Sequence, residues 1–293
     1  MQIIKITDKE YPKRLLDIKN PPKKLYVEGN IELLNNKSIA IVGARKCTEY
    51  GIKYTKKFAK EMADYNVTIV SGLADGIDSV AHEVAKDCKG STIAVLGCGL
   101  NNVYPKENKD LFDSILENNG CIISEYEPDQ EVCMKNFPKR NRIISGISMG
   151  ILVIEAKYRS GSTITAKYGF KQNKKVFCIP RDIGITNGVG TNNLIKMGAT
   201  LVTSSKEILQ EMGIKSSEIE ENESIENKTN KKEENQIDDE YKEIYNLISY
   251  IPKSINYIST KSGLNISDIN QKLTILELEG YIKSLPGNNY VRC

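Results

Sequence analysis

The sequence predicts an α/β protein: an open, doubly wound, mostly parallel sheet, followed by a small helical module closed by a hairpin. Three observations carry this. Short β-branched runs, apolar on both faces, alternate with helical periodicity until about residue 210, as strands of a sheet covered on both sides do. A stretch of almost pure Glu, Asn, Ser and Lys then interrupts the chain. The last ~50 residues read as three helices and a β-hairpin.

Taken in order, residues 1–37 are punctuated by Tyr11-Pro12, Pro21-Pro22 and Gly29-Asn30 and read as a helix-and-loop cap on the sheet edge. Residues 38–43 are a buried-type strand. Residues 50–65 place Tyr54, Phe58, Met62 and Tyr65 on one helical face. A strand over 67–71 and a helix over 77–85 follow. Runs at 92–96, 121–124, 150–154 and 175–179 give further strands, most of them separated by helical stretches. The acidic connector has too little apolar surface to offset the entropy of ordering it, so a flexible linker is expected. Beyond it, helices are expected at 241–250, at 255–261 stopping at Gly263, and at 266–278 stopping at Gly280. Pro286-Gly287-Asn288-Asn289 turns a hairpin between 281–285 and 290–292, which makes the module a winged helix-turn-helix. The expected divisions are a cap over 1–37, a Rossmann-like domain over 38–212, a linker over 213–239 and a winged-helix domain over 240–293.

Composition narrows the function. Across 293 residues there are 41 Lys and Arg against 38 Asp and Glu, one histidine and no tryptophan. The net charge of +3 hides a division. Residues 1–210 hold 31 basic and 23 acidic residues, net +8, whereas residues 211–240 hold 4 and 11, net −7. A basic domain suits a polyanionic partner. No apolar run approaches the ~18–20 residues of a membrane-spanning helix. The N-terminus lacks a signal-peptide pattern, so a cytoplasmic protein is expected. Seven cysteines, Cys47, Cys88, Cys98, Cys121, Cys133, Cys178 and Cys293, form no C-x-x-C pair and read as reduced thiols, with neither a disulfide framework nor a zinc site.

In an open parallel sheet, ligands bind beyond the carboxyl ends of the strands. The segments found there are Gly43-Ala44-Arg45, Ser71-Gly72-Leu73-Ala74-Asp75-Gly76, Gly97-Cys98-Gly99 and Lys157-Tyr158-Arg159-Ser160-Gly161-Ser162-Thr163. Glycine backbone N–H groups, hydroxyls and helix N-termini on one rim favour an anion. No G-x-x-x-x-G-K-[ST] motif is present, which excludes a P-loop ATPase. No G-x-G-x-x-G follows the first strand, and the second ends in Ser71 where a ribose-binding acid would stand, which disfavours NAD and FAD. The densest signal is Phe137-Pro138-Lys139-Arg140-Asn141-Arg142: cations to neutralise phosphates and an aromatic to stack a base. Arg140 and Arg142 cannot share one helix face, so one of them is open to a structural pairing with Glu155 or Asp78. His82 lies inside a helix and reads as structural. Asp75, Asp78 and Glu155 lack the nucleophile–base pair or metal cluster that hydrolysis needs.

Six ordered motifs resemble the DprA/Smf family over roughly residues 11–210. They are Gly43-Ala44-Arg45; the 71–78 loop with Ala81-His82; Tyr104-Pro105; Phe137-Pro138-x-Arg140-Asn141-Arg142-Ile143-Ile144; Glu155-Ala156 with Ser160-Gly161-Ser162-x-x-Thr165-Ala166; and Gly190-Thr191-Asn192-x-Leu194-Ile195-x-x-Gly198-Ala199. The resemblance implies a non-catalytic, cofactor-free protein that binds single-stranded DNA in natural transformation, loads a RecA-type recombinase and dimerises through its Rossmann-like domain. It makes Arg45 the principal phosphate contact, with Gly43 beside it. It makes Ser71, Gly72, Ser160, Gly161 and Ser162 the backbone-donor loops. Phe137, Lys139, Arg140, Asn141 and Lys157 would line the DNA pocket, and Asp78, Arg142 and Glu155 would brace the loops.

Two departures stand out. The family often has Pro-Gly after the strand ending near 179, whereas this chain has Pro180-Arg181, which either adds a rim cation or alters the loop. Many members also begin with an extra helical domain. The third helix of the winged module carries Asp268, Lys272, Glu277 and then Glu279, which argues against major-groove reading and leaves protein docking or dimerisation open. The competing class is a nucleoside-monophosphate phosphoribohydrolase on a similar sheet. It needs a P-G-G-x-G-T loop with a nearby catalytic Glu, where this chain has Ser160-Gly161-Ser162-Thr163.

Overall fold

The computed structural model of the chain describes residues 1–214, 237–249 and 252–292. The chain divides into two units, Met1–Ile219 and Glu220–Cys293. Most of the expected linker, residues 215–236, lies outside the described residues.

The first unit is built on a nine-stranded sheet. Its strands are β1 (Gln2–Lys5), β2 (Lys24–Gly29), β3 (Ser38–Val42), β4 (Thr68–Ser71), β5 (Thr92–Val95), β6 (Cys121–Ser124), β7 (Gly150–Val153), β8 (Lys175–Cys178) and β9 (Thr200–Leu201). The helices are α1 (Lys13–Leu16), α2 (Glu49–Asp64), α3 (Ile77–Ala85), α4 (Lys109–Glu117), α5 (Asn136–Ile147), α6 (Gly161–Lys171), α7 (Val189–Lys196) and α8 (Ser205–Glu211). In space the strands run β1-β2-β6-β5-β4-β3-β7-β8-β9. Every pairing from β6 to β9 is parallel. The order therefore runs outward from β3 through β4, β5 and β6, then resumes on the other side of β3 with β7. The crevice between β3 and β7 is the topological switch point of a doubly wound sheet.

The central strands are apolar on both faces because both are covered. Ile39 and Ile41 of β3 pack with Phe58, Ala59 and Met62 of α2 and with Leu209 of α8 on one side. Ala40 and Val42 pack with Ile143, Ile144 and Ile147 of α5 and Ala166 of α6 on the other. The α2 helix starts where Thr48 Oγ1 accepts the Gly51 N–H, an N-cap. It ends at Tyr65 and Asn66, the latter in the left-handed region at φ 58°.

Residues 1–37 differ from the expected helix-and-loop cap. They add β1 and β2 to the sheet, antiparallel to each other and with β2 antiparallel to β6. The alternation Leu25, Tyr26, Val27 buries both faces of β2. The partner strand lies about a hundred residues further on, where local patterning cannot reveal it.

In the second unit, helices Asp239–Leu247, Ile255–Ser262 and Ile266–Leu278 pack Ile244, Ile258, Ile269, Leu273 and Leu276 into one small core. Ser254 and Asn265 cap the latter two helices, and Gly263 closes the first of them at φ 72°. Strands Ile282–Leu285 and Asn289–Arg292 form the hairpin, and a short strand over Lys253–Ser254 joins its far side. This is a winged helix.

Candidate nucleic-acid interface

The loops after β3 and β7 meet over the switch point and enclose a cleft of about 410 Å³, whose other wall is the start of α5. Its lining includes Gly43, Arg45, Phe137, Lys157, Ser160, Gly161 and Ser162, residues spread over more than a hundred positions of sequence.

The rim supplies charge and an aromatic face. Arg45 and Lys157 are exposed and line the cleft. Lys139 is exposed one turn into α5 but does not line it. Neither lysine makes an ion pair among the described residues. Phe137 is half-buried. Its ring centroid lies 5.9 Å from the Arg45 guanidinium and 5.9 Å from that of Arg140. Tyr104 backs the ring at 5.3 Å. The sequence motif alone left Tyr104 without a role; an aromatic placed before Pro105 was the signal available.

The N-terminus of α6 opens onto the same cleft. Ser160 is the N-cap residue, yet no side chain caps the first-turn N–H groups. Instead, Ser160 Oγ pairs with Ser162 Oγ at 2.8 Å, and Thr163 Oγ1 donates to the Ser160 carbonyl at 2.7 Å. Nothing lies within 4 Å of where a Gly161 Cβ would stand. Uncapped donors at the positive end of a helix dipole, facing an open cleft, are suited to an oxyanion. Asn141 is 8% exposed and supports this end of the helix, its Nδ2 donating to the Gly161 carbonyl at 3.2 Å.

Beneath the rim lies a floor of satisfied polar groups. Arg140 is 4% exposed. Its Nη1 donates to the Gly72 carbonyl at 2.8 Å and to the Val95 carbonyl, and its Nε to Asn141 Oδ1 at 3.2 Å. Burial pulls the guanidinium down to about 10, against the attraction of Asp78. Burial pushes the Asp78 carboxyl up, against Arg140 and the hydrogen bond from Gly72. Gly72 is glycine because a Cβ there would stand 2.6 Å from Arg140 Nη2.

The expectation that Ser71 and Gly72 offer donors to a ligand is corrected here. The Gly72 N–H goes to Asp78 Oδ2 at 3.1 Å, and Ser71 Oγ to the Ile41 carbonyl at 2.6 Å. A buried donor already paired inside the protein has nothing left for a phosphate. Gly43 likewise serves close packing, since a Cβ would meet Ile77 Cγ1 at 2.4 Å.

His82 is fully buried in this floor. Its Nε2 accepts the Leu73 N–H at 3.3 Å. That leaves the proton on Nδ1, which donates to Thr92 Oγ1 at 2.7 Å, while the Thr92 hydroxyl donates to the Ile69 carbonyl at 2.7 Å. Burial, and then the charge of Arg140, hold the imidazole down to about 3, so it is neutral.

The bracing residues act on separate loops. Arg142 forms a bidentate pair with Glu125, both distances 2.7 Å, and donates to the Asn20 carbonyl at 3.2 Å. Glu155 is fully buried and accepts the Thr48 N–H at 3.0 Å, the Thr48 hydroxyl at 2.5 Å and the Asn187 amide at 3.3 Å. Arg181 turns inward to Glu155, so it is not an added rim cation. Among the described residues, no cluster of His, Cys, Asp or Glu could hold a metal, and no helix is long and apolar enough to cross a membrane. The six described cysteines are free thiols.

In the winged helix, the third helix has no uncommitted cation. Lys272 pairs with Glu240 at 3.0 Å, and Asp268 is bound to the capping Asn265.

A doubly wound sheet with a cationic, aromatic cleft at its switch point, followed along the chain by a winged helix, defines a Rossmann-like protein with a C-terminal winged-helix module. Comparison with known proteins gives this class a family. The family model for DNA recombination-mediator protein A matches residues 2–213, and that for the DprA winged helix domain matches residues 228–288. The chain belongs to this DprA/Smf family. Protein Smf of Escherichia coli is 37% identical over 282 residues, covering 96% of this chain and 75% of the relative. DNA processing protein DprA of Streptococcus pneumoniae is 43% identical over 206 residues, 70% of this chain and 72% of the relative. The X-ray structure of DprA from S. pneumoniae superposes with a TM-score of 0.68 at 41% identity, over 72% of this chain and 74% of that one. DNA processing protein A from Helicobacter pylori, whose structure concerns its single-stranded DNA binding mode, gives 0.64 at 32% identity, over 72% and 96%.

Proposed function

We propose that the chain binds single-stranded DNA in the cleft between the β3 and β7 loops, performs no chemistry on it, and passes it to a RecA-type recombinase during DNA uptake and recombination. The observation that carries this is the convergence of Arg45, Lys157, the Phe137 ring and the uncapped α6 N-terminus on one cleft. Phosphates would meet Arg45, Lys157 and the first-turn N–H groups of Gly161 and Ser162, and a base would meet Phe137, with Lys139 alongside. Arg140, Asn141, Asp78, Arg142, Glu155, Ser71 and Gly72 would hold these groups in place. The H. pylori relative, which binds single-stranded DNA, supports the ligand class. The reading includes a cytoplasmic homodimer joined through the Rossmann-like unit, and no cofactor.

A nucleotide hydrolase would need a carboxylate or nucleophile standing ready in the cleft. Asp78 is engaged with Gly72 and lies beside Arg140, and Glu155 is enclosed by three donors. The test is fluorescence anisotropy of labelled oligonucleotides across a salt series. Single strands are expected to bind more tightly than duplex, with affinity falling as salt rises. Equal affinity for duplex, or release of free base from mononucleotides, would overturn the reading.

A further inference from the structure

Arg181 follows Pro180 just beyond β8, and its side chain is only 13% exposed. The guanidinium stacks on the Tyr50 ring at 4.0 Å and places Nη2 3.6 Å from Glu155 Oε1. The surrounding backbone is fixed for it. Asn192 accepts the Arg181 N–H at 3.3 Å and donates to the Arg181 carbonyl at 2.9 Å, and the Tyr50 hydroxyl donates to the Pro180 carbonyl at 3.1 Å. Gly188 leaves the room, since a Cβ there would stand 2.4 Å from Arg181 Cβ.

The partner of this cation is the hub of the neighbouring loop. Glu155 holds Thr48 through its N–H and its hydroxyl, and Thr48 caps α2. Asn187 ties Glu155 to the Lys46 carbonyl, donating to that carbonyl at 3.0 Å. On the near side of the same turn, the Ala44 carbonyl accepts the Ile77 N–H at 3.2 Å. Arg45 therefore projects from a turn pinned at residues 44, 46 and 48, and two of the three pins run through Glu155 and its partners.

A buried carboxylate deprived of its counter-charge is costly, and the surrounding structure relaxes to hydrate it. We propose that Arg181 is a positioning residue for nucleic-acid binding. It neutralises Glu155, Glu155 holds the 46–48 segment, and that segment aims Arg45 into the cleft, so Arg181 sets the grip on phosphate without touching it. This rests on the nucleic-acid reading above.

The test uses the full chain and a labelled oligothymidylate, with affinity measured across a salt series for the wild type, Arg45→Ala, Arg181→Gln, Arg181→Lys and the double variant Arg45→Ala/Arg181→Gln. Arg181→Gln is expected to weaken binding about fivefold in the wild-type background and by much less when Arg45 is already absent, the signature of coupled residues. Arg181→Lys, which keeps the charge, is expected to recover most of the loss, and if Arg181→Gln does not fold, the neutral Arg181→Met takes its place in both backgrounds. Equal losses in both backgrounds would make Arg181 an independent contact and overturn the proposal, as would an indifferent Arg181→Gln. A wild type that binds single strands no better than duplex removes the nucleic-acid reading itself, and this inference with it.

Discussion

The floor and the rim of the cleft hold cations of the same kind in opposite states. Arg140 in the floor is buried and committed to two backbone carbonyls and Asn141. Arg45 on the rim is exposed, with the Phe137 ring beside its guanidinium. One arginine keeps the cleft in shape and the other is available to what enters it. Sequence charge counts both alike. The 31 basic residues of 1–210 therefore overstate the cations a polyanion can touch, because Arg140, Arg142 and Arg181 are already engaged inside the protein.

The largest expected effect tests the floor. Arg140→Ala leaves Asp78 without its counter-charge and the Gly72 and Val95 carbonyls without a donor, and should cost about 3–5 kcal/mol of stability in urea unfolding. Arg45→Ala should stay within about 0.5 kcal/mol of wild type in the same experiment. Similar losses for both would dissolve the distinction.

The next effect comes from His82, also in the floor. Its folded pKa, about 3, lies below its ordinary 6.5, so the unfolded chain takes up a proton first as pH falls. Its contribution to stability is complete above pH 6.5 and declines below it by about 1.4 kcal/mol per pH unit until the folded pKa is reached, or about 2 kcal/mol between pH 6.5 and pH 5. Asp78, with its carboxyl pushed up, acts in the opposite sense. The comparison of wild type with His82→Asn at both pH values isolates the imidazole, because the chain has one histidine. An identical pH dependence in the two proteins would show that His82 is not held neutral by the fold.

Rim effects are smaller and belong to binding. Phe137→Ala should weaken single-strand affinity by about 1–3 kcal/mol with the salt slope unchanged, since stacking carries no counter-ion. Arg45→Ala should lower the slope of log affinity against log salt by about 0.7 for each phosphate it no longer neutralises. A slope change in Phe137→Ala, or none in Arg45→Ala, would reverse their roles.

The parallel core was legible because burial on both faces imposes apolar runs such as Ile39, Ala40, Ile41 and Val42 on the sequence itself. The glycine-bearing turn after β3 was legible for a similar reason: the close approach of Ile77 to Gly43 leaves a residue type behind. What escaped was non-local or disguised. The β2–β6 pairing joins segments about a hundred residues apart, and nothing in 24–29 names its partner. The burial of Arg140 was disguised by its charge, although its spacing to Ile143, Ile144 and Ile147 places it on the inward stripe of α5. The destination of Arg181 depended on Glu155, an acid hidden at the end of an apolar strand. The loop after β4 shows the converse error: Gly72 looked like a phosphate turn and instead makes room for an arginine.

The placement of the cleft at the switch point also sets when it comes into being. Val42 pairs with Val153, and the two loops that face each other across the crevice grow from these neighbouring strands. During synthesis, Arg45 leaves the ribosome more than a hundred residues ahead of Lys157 and α6, with nothing yet to stand opposite it. Contacts between such distant segments form late, once the intervening chain has closed. The cleft therefore arrives together with the central pairing of the sheet, and a partly made or locally unzipped chain exposes a basic turn with no wall opposite it.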